Sequence, residues 1–255
     1  ATGVLVVGVD KATRLLTHLV LTDKAYTATI RLGRSTVTDD AEGEAVLERS
    51  AAGLSEADVR AALGPLTGDI RQVPSTVSAI KVDGQRAYAR ARAGEAVELA
   101  ARPVTVARFD ALAFRRPDDD AGEPVLDVDV AVECSSGTYV RALARDLGVA
   151  LGVGGHLTAL RRTRVGPFTL EQARTLEQLG EFDDPVGLPL ADAVRAAMPV
   201  RAVSEEHARE LAHGRFLPPA GIDGVHAAIG PAGTAIALLR EDGRHARPVL
   251  VFEPA

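Results

Sequence analysis

Residues 125–155 read VLDVDVAVECSSGTYVRALARDLGVALGVGG, and their hydrophobic period changes from two to about 3.6 partway along. From Val125 to Cys134, apolar and acidic side chains alternate, which predicts a strand with one buried and one half-solvated face. After the turn Ser135-Ser136-Gly137, Thr138 is placed to cap a helix, and Gly152 to Gly155 end it. The segment therefore predicts strand, turn and helix in immediate succession, as in a protein that mixes α and β structure.

Two arginines stand apart from the apolar stripe of this helix. The stripe consists of Val140, Leu143, Leu147 and Leu151. Arg141 and Arg145 are four residues apart, so they lie together on another face. They belong to a basic stretch from Cys134 to Phe168, which has five arginines against one acid, and a second basic stretch runs from Arg71 to Arg92. Such patches suit a phosphate backbone, but arginines that pair with the many carboxylates would give the same counts.

Upstream, the hydrophobic pattern predicts further elements. Gly3–Val9 is a continuous apolar run and predicts a strand buried on both faces. Lys24–Leu32 alternates, with Tyr26, Ala28, Ile30 and Leu32 on one face, and Leu157–Val165 is also strand-like. Ser55 followed by Asp58 is a helix-capping signal, and Gly64-Pro65 stops that helix.

The C-terminal part differs in composition. The segment 169–199 is acidic and broken by three prolines, which predicts a helix followed by a connector. The last ~55 residues are short apolar runs separated by glycines and prolines, which predicts a small β-rich unit. We therefore expect two domains, residues 1–198 and residues 199–255.

Composition excludes several classes of protein. The chain has 255 residues, 46% of them apolar, and a formal net charge of −6, so a sizeable core is expected and disorder is not. One cysteine, Cys134, excludes an internal disulfide, and the six histidines lack zinc-site spacing. No apolar run is long enough to cross a bilayer, so a cytoplasmic protein is expected. Nucleotide-binding, hydride-transfer and hydrolase motifs are missing, and the polar turn 135–141 is the best candidate for function.

Several motifs, in order from residue 1 to about 180, resemble the tRNA pseudouridine 55 synthases of the TruB type. They are Ala1–Gly8 with Lys11-Ala12-Thr13, Asp23–Tyr26 with Arg31-Leu32-Gly33, Val73-Pro74-Ser75 to Ser78–Lys81, Tyr88 to Gly94, Arg102-Pro103-Val104, Cys134–Arg141, and Gly155-His156-Leu157 to Leu160-Arg161-Arg162. The resemblance implies an α+β fold with a mixed, mainly antiparallel central sheet flanked by helices. The tail resembles, less specifically, the small β-rich RNA-binding PUA-type domain of that family.

The resemblance also implies a reaction and a partner. Uridine 55 in the T arm of tRNA is flipped out of its stack, and an aspartate allows uracil to leave its ribose, rotate and rejoin through carbon 5. Neither a metal nor an organic cofactor is implied. The basic patches would bind the T arm, the C-terminal unit would reach toward the acceptor stem, and a monomer is expected.

The nucleophilic aspartate is expected just before Ala1. In the family it lies in a G-T/A-L-D-P turn that stands immediately ahead of the Ala-Thr-Gly with which these residues open. We therefore expect upstream residues that are missing from this chain. The 255 residues as written are expected to lack isomerase activity.

The strongest residue assignments that the resemblance implies fall on Arg141 and Tyr26. Arg141 matches the arginine that pairs with the nucleophilic carboxylate and keeps it ionised. Tyr26 matches the tyrosine that stacks on the extracted uracil. The plain alternatives are a solvated arginine at a helix start and a tyrosine on the core face of a strand.

Four more residues are assigned less firmly. Tyr139 matches a second tyrosine of the active site, and Leu160 matches an apolar wall that the base contacts, although a core leucine would give the same pattern. Lys81 and Asp40 are expected to support the site or the RNA.

Two other classes of function remain open at this point. The first is a tRNA-binding folding helper that opens the tRNA elbow without isomerising uridine. The second is a small-molecule α/β enzyme with fortuitous motifs.

Overall fold

The computed structural model describes residues 1–20, 22–75, 99–117, 122–181, 183–184 and 186–255, together with the backbone of 81–82 and 85–86. The strands are β1 (Thr2–Gly3), β2 (Lys24–Leu32), β3 (Arg34–Thr36), β4 (Ala45–Glu48), β5 (Gly68–Gln72), β6 (Lys81–Val82), β7 (Gln85–Arg86), β8 (Arg102–Arg115), β9 (Leu126–Cys134), β10 (Gly155–Val165), β11 (Phe168–Thr169), β12 (Val200–Ala202), β13 (Val225–Ile229), β14 (Ala235–Glu241) and β15 (Ala246–Val251). The helices are α1 (Leu16–Leu19), α2 (Glu56–Leu63), α3 (Val140–Ala150), α4 (Leu176–Gly180), α5 (Leu190–Ala197) and α6 (Glu205–Ala212), and short 3₁₀ helices cover Asp10–Leu15 and Gly64–Leu66.

The chain forms two compact units. The first comprises Ala1–Val4 and Thr22–Val165, and the second comprises Leu5–Leu21 and Gly166–Ala255. The sheet of the first unit has the order β1-β10-β2-β9-β8-β5. Its pairings are antiparallel except for β1 with β10. The mainly antiparallel central sheet of an α+β fold is therefore confirmed.

The two faces of this sheet differ as the alternation predicts. β2 and β9 pair without a register shift, so Ala28 lies opposite Val130 and Ile30 opposite Val128 on one buried face. On the other face Arg31 donates two hydrogen bonds to Asp127, at 2.8 and 2.9 Å. One face thus carries the core, and the other carries ion pairs.

Strand β10 has two register irregularities against β2. Leu157 lies opposite Ile30, and one additional residue brings Leu160 opposite Ala28. Both leucines therefore point to the core face, which strict alternation would not allow for residues three apart. A second irregularity follows Arg162, which lies opposite Tyr26 on the same face.

Helix α3 starts at a cap that comes from a distant strand. The sequence predicts Thr138 as the cap, and this is wrong, because Tyr139 is the N-cap residue and no side chain next to it caps the helix. Instead the buried Gln72 of β5 accepts a hydrogen bond from the Tyr139 backbone N–H at 2.8 Å and donates one to its carbonyl at 3.1 Å. The first turn of α3 is thereby fixed to the sheet.

The end of α3 is packed so closely that it requires glycine. A Cβ on Gly148 would lie 2.1 Å from the backbone nitrogen of Gly155 and 2.2 Å from the carbonyl carbon of Gly154. The predicted stop at Gly152–Gly155 is confirmed, because α3 ends at Ala150 and β10 begins at Gly155. Likewise α2 has the predicted capping box of Ser55 and Asp58.

The predicted buried strand over Gly3–Val9 is wrong. The strand ends at Gly3, whose φ of +95° is left-handed and whose α-carbon is too close to Arg162 to carry a side chain. Leu5 and Val7 are 72% and 70% exposed. An apolar run is buried only where neighbouring strands cover it, and hydrophobicity alone does not show that they do.

The second unit contains a sheet in the order β12-β13-β14-β15. Its core includes Leu211 of α6 and Leu239 of β14, and Arg14 donates to the Phe252 carbonyl at 2.8 Å. The small β-rich C-terminal unit is thus present. Among the described helices, none has the length and hydropathy needed to cross a membrane.

Candidate active site

Arg141 lies in the first turn of α3 and contacts the loop after β3. Its Nη1 atom donates to Asp40 Oδ2 at 2.9 Å and to the Thr38 carbonyl at 3.2 Å. About a quarter of each side chain in the Arg141–Asp40 pair is exposed. Arg141 is therefore not a solvated arginine, because it is a partly buried cation held in one orientation by a carboxylate.

Asp40 is fixed in turn by its own loop. The Thr38 hydroxyl donates to Asp40 Oδ1 at 2.5 Å, and the Glu42 backbone N–H donates to the same oxygen at 3.2 Å. Partial burial by itself would raise the pKa of Asp40, but these hydrogen bonds and the charge of Arg141 lower that pKa below its usual value. Asp40 therefore stays ionised and remains a partner for Arg141 at neutral pH.

Tyr26 lies in β2 on the sheet face that α3 covers. Val132 of β9 and Arg162 of β10 are its direct cross-strand neighbours. Tyr26 and Leu160 are both partly buried and pack against the core that also contains Val140 of α3. The structure thus places the Tyr26 ring, the Leu160 side chain and the helix that carries Arg141 on one face of the sheet.

Arg162 of β10 lies directly across from Tyr26 on the neighbouring strand. Burial raises the pKa of Tyr26, and a hydrogen bond from the Arg162 guanidinium opposes this effect. Arg162 Nε also donates to the Val4 carbonyl at 2.6 Å. The Arg162 guanidinium is therefore fixed to the backbone next to Tyr26.

The remaining predicted residues have mixed outcomes. Tyr139 is partly buried, and its backbone groups are bound by Gln72. Lys81 lies in β6, and its side chain is outside the described part of the chain, as is most of the basic stretch 71–92. Among the residues that the structure describes, no three His, Cys, Asp or Glu side chains are grouped to hold a metal ion.

Sequence reasoning did not find Gln72, Asp39 or Arg162 as parts of this site. Gln72 and Arg162 act through backbone groups of residues that are distant in sequence, and no local pattern marks such contacts. Pairing of arginines with carboxylates is the alternative explanation for both basic stretches. In the stretch 134–168, Arg145 and Arg164 are ion-paired, with Asp39 at 3.4 Å and Glu133 at 3.0 Å.

Three family models match consecutive parts of the chain. Residues 1–140 match the model of the TruB family pseudouridylate synthase (N terminal domain). Residues 141–184 match a tRNA pseudouridylate synthase B C-terminal domain, and residues 198–253 match the tRNA Pseudouridine synthase II C terminal domain.

Similar proteins include tRNA pseudouridine synthase B of Nocardia farcinica, which is 64% identical over 255 residues that span this whole chain and 81% of the relative. The protein of the same name from Thermobifida fusca is 58% identical over 99% of this chain and 85% of the relative.

Solved structures share the fold at low identity. A chain in the crystal structure of a Cbf5-Nop10-Gar1 complex aligns with a TM-score of 0.68 at 24% identity, over 99% of this chain and 73% of that one. A chain in an H/ACA RNP bound to a substrate RNA containing 2'-deoxyuridine gives a TM-score of 0.64 at 21% identity, over 96% of this chain and 71% of that one. These structures show the same fold, and the family models and the relatives at 58–64% identity show that the chain belongs to the TruB family of pseudouridylate synthases.

Proposed function

We propose that this protein is a tRNA pseudouridine synthase that isomerises uridine 55 in the T arm. Relatives at 53–64% identity over nearly the whole chain are named tRNA pseudouridine synthase B. The observation that carries the proposal in this chain is the Arg141–Asp40 pair at the start of α3, on the sheet face that also carries Tyr26. This arrangement offers a fixed cation and a π-face to one flipped base.

Tyr26 and Leu160 would receive the uracil. A base inside folded RNA hides its reacting atoms, so it must leave the stack at a cost of a few kcal/mol. Stacking of the base on an aromatic ring offsets about 1–3 kcal/mol of that cost. The ring of Tyr26 would supply this contact, and the apolar side chain of Leu160 would exclude water from the reacting bond.

Arg141 would pair with the nucleophilic carboxylate that the family pattern places just before Ala1. In the reaction the bond from the ribose to N1 of uracil breaks and its electron pair stays on N1. The base then rotates, a bond from the ribose to C5 forms, the C5 proton is lost and N1 gains a proton, so substrate and product are isomers. A cation beside the nucleophile keeps it ionised at neutral pH. Asp40 holds the Arg141 guanidinium for this task, so the cation is oriented before the substrate arrives.

RNA binding would use both parts of the chain. We assign catalysis to residues 1–198 and a PUA-like RNA-binding role to residues 199–255, with the protein acting as a monomer. The T arm and the acceptor stem are the proposed contacts. Lys81 and the rest of the basic stretch 71–92 are assigned to the phosphates, since phosphate contacts by basic residues dominate affinity for RNA.

The test is Arg141→Ala, assayed in a protein that carries the family's aspartate-bearing turn ahead of Ala1. Pseudouridine formation in unmodified tRNA should become undetectable, while tRNA affinity at fixed salt should change less than about threefold, because the change removes one site-facing cation. Arg108→Ala is the matched control. It removes a half-exposed arginine paired with Asp110 and should leave turnover unchanged.

Persistent turnover in the Arg141→Ala protein would refute the role of Arg141. If the unsubstituted protein bound tRNA in a salt-dependent way without forming pseudouridine, the folding-helper alternative would replace the synthase proposal. Nothing in the comparisons favours that alternative, because the relatives are named for the isomerase activity.

A further inference from the structure

A second arginine–aspartate contact lies one helical turn from the Arg141–Asp40 pair. Arg145 Nη1 donates to Asp39 Oδ2 at 3.4 Å, and its Nη2 donates to the Val73 carbonyl at 2.7 Å. Its Nε donates to Asp146 Oδ1 at 2.9 Å, so Asp39 is the longer of its two carboxylate contacts and the one that joins α3 to the loop after β3. Arg141 and Arg145 are four residues apart on α3, and Asp39 and Asp40 are adjacent. Helix α3 thus presents two guanidinium groups in succession to two consecutive carboxylates.

The backbone at Asp39 is in an uncommon conformation. Its φ is +60°, and among the described non-glycine residues only Asp10 shares a positive φ. L-residues avoid this left-handed region, although aspartate tolerates it better than most. The Asp39 N–H donates to the Thr36 carbonyl at 3.2 Å, and its carbonyl accepts from the Leu157 N–H at 3.0 Å. This turn sets the direction in which the next residue, Asp40, leaves the loop.

The Asp39 carboxylate is buried, although a polar side chain in an exposed loop could point into solvent. Only 12% of its side chain is exposed. Burial raises the pKa of Asp39, while Ser75, Arg145 and Arg141 oppose that rise and Asp146 adds to it. An ionised carboxylate in such a place is costly unless a cation pairs with it, so its presence points to a role in specifying one conformation.

We infer that Asp39 and Arg145 are a positioning pair, which holds the left-handed turn so that Asp40 stays on Arg141. This inference rests on the proposed function, in which Arg141 touches the reacting groups and Arg145 does not. Without the pair the turn relaxes toward negative φ, the Asp40 carboxylate moves, and Arg141 loses its fixed orientation. The catalytic groups are all present, but the Arg141 guanidinium is misplaced, so kcat falls while KM for tRNA changes little.

The experiment compares Asp39→Asn, Arg145→Met and the double variant with the unsubstituted protein in the same tRNA assay. Each single variant should lower kcat about 10- to 100-fold, the range expected for a displacement of about 1 Å in a catalytic group. The double variant should be no slower than the slower single variant, because both changes remove the same contact. Arg145→Lys should recover part of the loss.

Arg31→Met is the matched control, since Arg31 is also partly buried and paired, with Asp127 on the ion-paired face. Its kcat should match the unsubstituted protein. A purely structural role for Asp39 predicts that activity and Tm fall together. The positioning role predicts that Asp39→Asn loses activity without a lower Tm, because the neutral amide no longer carries the burial cost of the charge.

A crystal structure of Asp39→Asn gives a readout that does not depend on activity. The separation of Arg141 Nη1 from Asp40 Oδ2 should exceed hydrogen-bond distance, and a separation still near 2.9 Å would overturn the inference. Unchanged kcat in both single variants of an active enzyme would overturn it as well. If the unsubstituted protein made no pseudouridine, the proposed function would fail, and the crystal structure would still decide the inference.

Discussion

Replacing Gln72 tests how the first turn of α3, and with it Arg141, is held in place. The Gln72 side chain is 2% exposed and makes two hydrogen bonds to one backbone residue, Tyr139. Each bond contributes about 0.5–1.5 kcal/mol net, and leaving the partly buried Tyr139 N–H without a partner adds up to about 1–3 kcal/mol. Because these contributions overlap, we expect Gln72→Ala to lower the free energy of unfolding by about 2–4 kcal/mol.

The assay is urea unfolding followed by circular dichroism, with Ser55→Ala as the control. Ser55 caps α2 in solvent, where water replaces the lost bond, so its removal should cost only about 1 kcal/mol. A loss for Gln72→Ala no greater than for Ser55→Ala would refute the claim that this distant cap fixes the helix.

Gln72→Glu sharpens the same test, because it places a second oxygen where Gln72 Nε2 now lies 3.1 Å from the Tyr139 carbonyl. Only the protonated acid can donate there, and burial should raise its pKa above the unfolded value of about 4.3. The contribution to stability is then present below pH ~4.3 and is lost as the pH rises through the folded pKa. The Gln72→Glu protein should therefore lose stability relative to the unsubstituted protein as the pH rises, and a constant difference between pH 4 and 7 would contradict this reasoning.

Two further outcomes are expected. Gly148→Ala should lower the free energy of unfolding by about 3 kcal/mol or more, because its Cβ would overlap the backbone of Gly154 and Gly155; a loss under about 1 kcal/mol in urea would contradict that packing. His156 is buried with Nδ1 2.8 Å from the Arg34 carbonyl, and burial lowers its pKa. The resulting stabilisation is present above pH ~6.5 and is lost as the pH falls, so unfolding free energies between pH 7.5 and 5.5 should fall less in His156→Gln than in the unsubstituted protein.

The sequence was most informative where a pattern repeats along one element. The alternation in β2 and β9 predicts which side chains face the core, and the pairing of Ala28 with Val130 confirms it. The apolar stripe of α3 likewise predicts that Arg141 and Arg145 lie on another face, and both contact the Asp39–Asp40 turn.

Prediction failed where a contact joins distant residues. The cap of α3 comes from Gln72, 67 positions away, while the adjacent threonine does not serve as the cap. The run from Gly3 to Val9 has the composition of a strand. Whether it is buried depends on the neighbouring strands that cover it, and the sequence of the run does not show whether they do. The role of Asp39 depends on a positive φ and on burial, and neither can be derived from a two-residue acidic motif.

The extra residue in β10 marks a place where this strand can change length without reversing its faces. Losing one residue between Leu157 and Leu160 would restore simple alternation and leave Leu160 opposite Ala28, on the core face. A conservative exchange of either leucine also leaves that geometry intact. Natural variation in this stretch is therefore expected to include single-residue deletions as well as substitutions.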